Sequence, residues 1–277
     1  ASAPSITILV VGAALLVAFG LVERNAPEPV LPLWVLHRRL LVTSSLASCG
    51  VGAIVLGLSS YIPTFVQGVL STGPLVAGFA LATLTVGWPI AGSQAGRVYL
   101  RIGFRRCGLI GASIVVAGSA LLLLLGERSS VAQVGAACFV IGLGMGLVAT
   151  PTLVAAQSSV EWRERGVVTG ANMFFRSVGS AVGVAAFGAI ANATLGDHAH
   201  ALGSGHVPAG PLSSAVHNVF LAVGALALLT VAAVALMPHD VGQSRQPAPT
   251  GTRAGTARAG DVESAGTRAA SRITPAP

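Results

Sequence analysis

The sequence predicts an all-α integral membrane protein with seven transmembrane helices. Three observations carry that fold class. Seven apolar stretches lie at about 5–22, 41–66, 75–96, 107–126, 131–157, 167–192 and 216–237. Each is long enough to cross a hydrocarbon core of about 30 Å, which takes about 20 residues at a rise of about 1.5 Å. The composition is 53% hydrophobic and 9% charged, with a mean hydropathy of +0.79, where a soluble domain carries roughly 25% charge. The arginines, finally, crowd into alternate connections.

Those arginines assign the sides. Segment 23–40 holds Arg24, Arg38 and Arg39; segment 97–106 holds Arg97, Arg101, Arg105 and Arg106. Segment 158–166 holds Arg163 and Arg165, and the tail holds Arg245, Arg253, Arg258, Arg268 and Arg272. With seven alternating spans all of these share one side, which the positive-inside rule makes cytoplasmic. Arg128 stands alone on the other side, and Arg176 lies inside a span. The protein is thus expected in the cell membrane as a multi-pass chain, its first residues outside and its tail inside. The net charge of +7 is a topology signal and not a nucleic-acid one.

The domain order follows. Residues 1–22 are one transmembrane helix. It lacks a positively charged leader and a small-residue cleavage site, so it is not read as a signal peptide, and the chain is read as a fragment of a longer reading frame. In 23–40, Pro27, Pro29 and Pro32 forbid a continuous helix, and Trp34 is expected to anchor an interfacial cytoplasmic linker. Residues 41–237 hold the remaining six spans. Pro89, after Trp88, permits a kink in the third span. Gly142/Gly146, Gly166/Gly170 and Gly179/Gly183 are spaced by four, which lets helices approach closely. Residues 193–215 are an outer loop, and 238–277, without large apolar side chains, are expected to be a disordered cytoplasmic tail near anionic lipid.

Two constellations stand out. Arg176 falls about 16 Å into the sixth span, near mid-membrane, where a charge needs a polar partner or a wet cavity. Asn172, Arg176, Gly179 and Gly183, spaced by 4, 3 and 4, share one helix face. That face is read as lining a substrate cavity or gate; the alternative is a structural arginine bonded to helix-end carbonyls of a neighbour. The second constellation runs from Gly96 to Arg106: Gly96, Arg97, Arg101, Gly103, Arg105 and Arg106. Its glycines bracket a tight turn, and its arginines are placed to meet negative helix-dipole ends; plain positive-inside topology is the alternative. Gln67, Gln94, Gln157 and Asn192, near span ends, either bond between helices or line a pathway.

Other chemistries find little support. With no lysine in the chain there is neither a P-loop nor a Schiff-base lysine. No nucleophile–base set for an enzyme is present. Cys49, Cys107 and Cys138 read as small hydrophobes in packed helices. Asp197, His198, His200 and His206 lie in a glycine-rich loop without a rigid frame, so no metal or other cofactor is assigned.

The segment GRVYLRIGFRR resembles the repeated loop motif of the major facilitator superfamily in its second-half form. Leu100 occupies the acidic position of the family pattern, so the loop offers no carboxylate for a charge relay. ERNAPEPVLPLWVLHRR, YIPTFVQGVLSTGPLVAG and RGVVTGANMFFRSVGSAVGVAAFG resemble, in turn, the linker and following segments of its fourteen-helix drug:proton antiporter branch, the EmrB/QacA type. The resemblance covers about 1–237. It implies helix eight and the C-terminal six-helix bundle of such a transporter, exporting drugs or other amphipathic small molecules by alternating access. It implies a proton gradient as driving force, coupling residues in the absent N-terminal half, and that half and the lipid bilayer as partners. A seven-helix membrane protein that binds or scaffolds without transport is the rival reading.

Overall fold

The computed structural model describes residues 11, 12, 14, 15, 17, 18, 20–22, 33–126, 128–196 and 209–238. These belong to one compact unit within Ala1–Gly242, and a second unit, Gln243–Pro277, lies outside the described residues. Among the described residues all regular structure is helical. The helices are α1 (within 11–22), α2 (Leu33–His37), α3 (Arg39–Gly68), α4 (Pro74–Ile102), α5 (Phe104–Leu123), α6 (Val131–Ser158), α7 (Arg165–Leu195) and α8 (Ala209–Ala235). A 3-10 turn at Trp162–Glu164 precedes α7. The six long helices, α3 to α8, are apolar and long enough to cross a membrane. Much of the first expected span, the outer-loop acid and histidines, and the tail lie outside the described residues.

Helix ends depart from the hydropathy limits for physical reasons. Apolarity ends where lipid ends, whereas the i to i−4 ladder needs no lipid and continues through residues that favour helix. So α4 runs on through Arg97, Tyr99 and Arg101 to Ile102, and α8 begins at Ala209, well before residue 216. Pro211 in the first turn of α8 is compatible with helix, because the first N–H groups have no intrahelical acceptor. Pro74 opens α4 in the same way, and Ser130 and Gln133 form a reciprocal capping box at the start of α6.

The expected loop from Gly96 to Arg106 is therefore corrected. Gly96, Arg97 and Arg101 are helical, Arg105 and Arg106 already belong to α5, and Gly103 alone makes the joint. Its φ of 89° and ψ of 158° fall in a region that is essentially glycine's alone. Tyr99 and Phe104 stack across it at 4.6 Å. Gly103→Val is expected to destabilise the bundle by about 1–3 kcal/mol, measured as a lower thermal midpoint in detergent.

The described part of the linker is structured. α2 packs on the bundle through Val35, which is buried with Leu41, Ala156, Val160, Val168 and Ala171, while Trp34 lies against that cluster. Arg38 stacks on Trp34 at 5.1 Å and donates to the Ser159 carbonyl at 3.3 Å; Arg39 Nε donates to the Leu236 carbonyl at 3.1 Å. These two arginines thus close the ends of α6 and α8, whose last carbonyls have no intrahelical donors.

Packing divides the helices into close pairs. α6 packs along α4 and α5, and α3 along α7 and α8, with α5 also against α8. Both α4 and α7 touch α3 and α6, yet they do not pack along one another. They are also among the least buried of the six long helices. The main core runs from Ile54, Leu58 and Ile62 of α3 through Ile141 and Met145 of α6 to Phe220 of α8, with Phe65 edge-on to Phe220 at 5.8 Å.

Candidate functional site

Four residues of α7 are placed on one face by the sequence; the structure keeps Asn172, Gly179 and Gly183 together against α3 and turns the Arg176 side chain to α4. A side chain at Gly179 would run into the backbone of Cys49, and one at Gly183 into Ala53. Both glycines lie in the seam between α7 and α3, not on an open wall. Asn172 lies in the same seam, 2% exposed. Its Oδ1 accepts from Ser48 Oγ at 2.8 Å, and its Nδ2 reaches the Ser44 carbonyl at 3.5 Å. The cavity-lining role expected for these three is accordingly replaced by helix fusion: small and hydrogen-bonded groups let two backbones meet. Asn172→Ala strands the Ser48 hydroxyl in the seam and is expected to lower stability by about 1–3 kcal/mol, with Ser48→Ala/Asn172→Ala recovering part of the loss in a thermal-unfolding cycle.

Arg176 behaves differently. Its backbone carbonyl faces Gly52 of α3, but its guanidinium reaches out to α4 and lies over the Trp88 ring, 5.3 Å from the centroid. Nε is buried without a hydrogen-bond partner. No carbonyl or carboxylate among the described residues accepts from this side chain. Glu161 and Glu164, the only described acids, sit at the arginine-rich end of the bundle, in and beside the 3-10 turn. The alternative of an arginine bonded to helix-end carbonyls is thus met by Arg38 and Arg39 and not by Arg176.

Trp88 is the residue that sequence reasoning missed. It sits in α4 just before Pro89, and the α6 backbone approaches so closely at Gly146 that a side chain there would meet the Trp88 carbonyl. Each member of the Trp88–Arg176 pair is therefore held by a backbone seam, α4 on α6 and α7 on α3. The stack spans the space between two helices that otherwise do not pack together. A tryptophan in mid-span with an arginine elsewhere in mid-span was the available signal; the pairing itself was not.

The second constellation falls at one end of the bundle. Arg101 sits in the last turn of α4, where a cation suits the dipole, whereas Arg105 and Arg106 occupy the first turn of α5, its positive end. Arg97 Nη1 donates to Gln94 within α4 at 2.8 Å. Leu100, in the position of the family's acid, is 80% exposed. Of the remaining polar residues, Gln157 bonds across to Thr169 of α7 at 2.8 Å. Asn192 lines a cavity of about 290 Å³ at the opposite end with Ser60, Tyr61, Thr64, Leu212 and Val216. No group of metal-ligating side chains occurs among the described residues.

Six long apolar helices, fused in pairs by small residues and bridged by a cation in mid-span, define a polytopic membrane protein of the helix-bundle class. Comparison with known proteins is more particular. The model of the Major Facilitator Superfamily matches residues 3–184, and the chain belongs to that family, which is one of membrane transporters and not of enzymes. It is 30% identical over 182 residues to the multidrug transporter protein MdtP of Bacillus subtilis, covering 66% of this chain and 34% of that protein. It is 31% identical over 188 residues to multidrug resistance protein 3 of Bacillus subtilis, covering 67% and 36%. To the puromycin resistance protein pur8 of Streptomyces alboniger it is 30% identical over 245 residues, covering 84% and 47%. The chain thus spans about a third to a half of the length of these relatives.

Proposed function

We propose that this chain is the C-terminal half of a proton-coupled secondary transporter that exports drugs or other amphipathic small molecules by alternating access. The observation that carries the reading is Arg176. It is a charge in mid-span, held between α4 and α7, which leave much of their surface uncovered. In a membrane such residues mark substrate or ion paths, because a charge with no such role is costly to insert. The names of the similar proteins, multidrug transporters and resistance proteins, support export of drugs.

In this reading α4 and α7 face the other half of the transporter, and the substrate passes between the halves. The arginine-rich end, with Arg97, Arg101, Arg105 and Arg106, faces the cytoplasm, and so does the tail; the chain's first residues lie outside. The fourteen-helix branch puts the coupling acid in the N-terminal half, and the proton gradient drives the cycle. The test is efflux from a pump-deficient host that carries the complete reading frame around this chain. Loss of dye or antibiotic export on addition of a protonophore is the expected result. Accumulation equal to that of an empty-vector control would refute the reading.

A further inference from the structure

Resting on the transporter reading, we infer that Trp88 and Arg176 together form a substrate-binding element for amphipathic compounds that carry a carboxylate or similar oxyanion beside a flat apolar body. The Trp88 ring covers one face of the guanidinium at 5.3 Å. Stacking satisfies the π-face of the cation and leaves its in-plane N–H donors unused. One of these, Nε–H, is buried with no acceptor. A buried donor left unpaired costs free energy that a bound acceptor restores. The acceptor that matches a planar fork of N–H groups is a carboxylate, held by two parallel charge-assisted hydrogen bonds.

Among the described residues the chain supplies no such group nearby. The only described acids are Glu161 and Glu164, at the arginine-rich end, whereas Arg176 lies near the middle of α7. Thus Trp88, half-buried against the core, holds the guanidinium by its ring, and Arg176 brings a directed charge whose Nε–H no described acceptor takes. The same positive charge disfavours a quaternary ammonium compound of equal shape, since like charges repel strongly where water is scarce.

A matched probe series tests this: pyrenebutyrate, its neutral amide, and pyrenebutyl-trimethylammonium, bound to the purified full-length transporter and read by pyrene fluorescence. The wild type is expected to bind the carboxylate most tightly. Arg176→Gln is expected to weaken the carboxylate about tenfold or more, the equivalent of about 1.4 kcal/mol, and to leave the amide within about twofold. Arg176→Lys keeps the charge without the fork and is expected to fall between; it also reports should the glutamine variant not fold. Trp88→Leu is expected to weaken all three probes alike, with the charge preference kept.

Equal loss of all three probes in Arg176→Gln, or an unchanged carboxylate-to-amide ratio in both Arg176 variants, overturns the inference. It would assign Arg176 to a carboxylate elsewhere in the transporter, and the transporter reading would stand. Failure of the wild type to bind any of the three, together with absent efflux in the cell assay, overturns the transporter reading and the inference with it.

Discussion

Gly179→Leu is expected to lose about 3 kcal/mol of bundle stability, or more, because the new side chain has to displace backbone and not a side-chain tip. Its first carbon would overlap the Cys49 carbonyl and Cα of α3, and Gly183, one turn further on, allows no compensating slide because Ala53 fills its surface. With a total stability of order 5–15 kcal/mol, such a loss is read as a sharply lower thermal midpoint and a depleted membrane fraction. Gly166→Leu is the matched control. It lies on the same helix with open space around it, so its midpoint is expected to stay within about 0.5 kcal/mol of wild type. Equal behaviour of the two variants would contradict the α3–α7 seam.

Arg176→Met is expected to separate stability from function. Desolvating an arginine at mid-membrane costs about 2.5–3.5 kcal/mol on insertion scales, and a desolvated stack on tryptophan returns about 2 kcal/mol. The two nearly cancel, so exchanging the charge for an apolar chain of similar length is expected to hold the thermal midpoint within about 1 kcal/mol of wild type, or to raise it. Transport of carboxylate-bearing compounds is expected to fall about tenfold or more in the same preparation. A residue serving only to brace α4 against α7 gives the opposite pattern: a lower midpoint, and transport reduced in proportion to the folded fraction. Measuring both quantities at equal membrane level decides between them.

The outcome of sequence reasoning differs by element. The spans from α3 to α8 were legible, since each needs only a run of apolar residues about 20 long, and that property belongs to the segment itself. The family was legible as well, from GRVYLRIGFRR and from the α7 segment, and the match over residues 3–184 bears it out. Helix ends were less so. The apolar run stops at the lipid boundary, while α4 continues for a turn and a half beyond Gly96, through Arg97 and Arg101, to a joint made by Gly103 alone.

The glycine pairs show the limit most directly. Gly142/Gly146, Gly166/Gly170 and Gly179/Gly183 have identical spacing. The first pair meets Leu84 and Trp88 of α4 and the third meets α3, whereas Gly166 and Gly170 meet nothing. Spacing gives a smooth stripe on a helix but not the neighbour that lies on it. Asn172, Gly179 and Gly183 were likewise placed on one face correctly, and the error was in what covers that face.

What this sequence determined alone, then, is everything that a single segment can specify: which stretches are apolar enough to span, where arginines accumulate, and that Arg176 is an ionisable residue well inside an apolar span. Tertiary structure decided which helices fuse, that Asn172 is spent on Ser48, and that Arg176 turns from its own seam to Trp88 on α4. Those outcomes depend on pairs of groups far apart in the chain, and their energies exist only once two helices have been brought into contact.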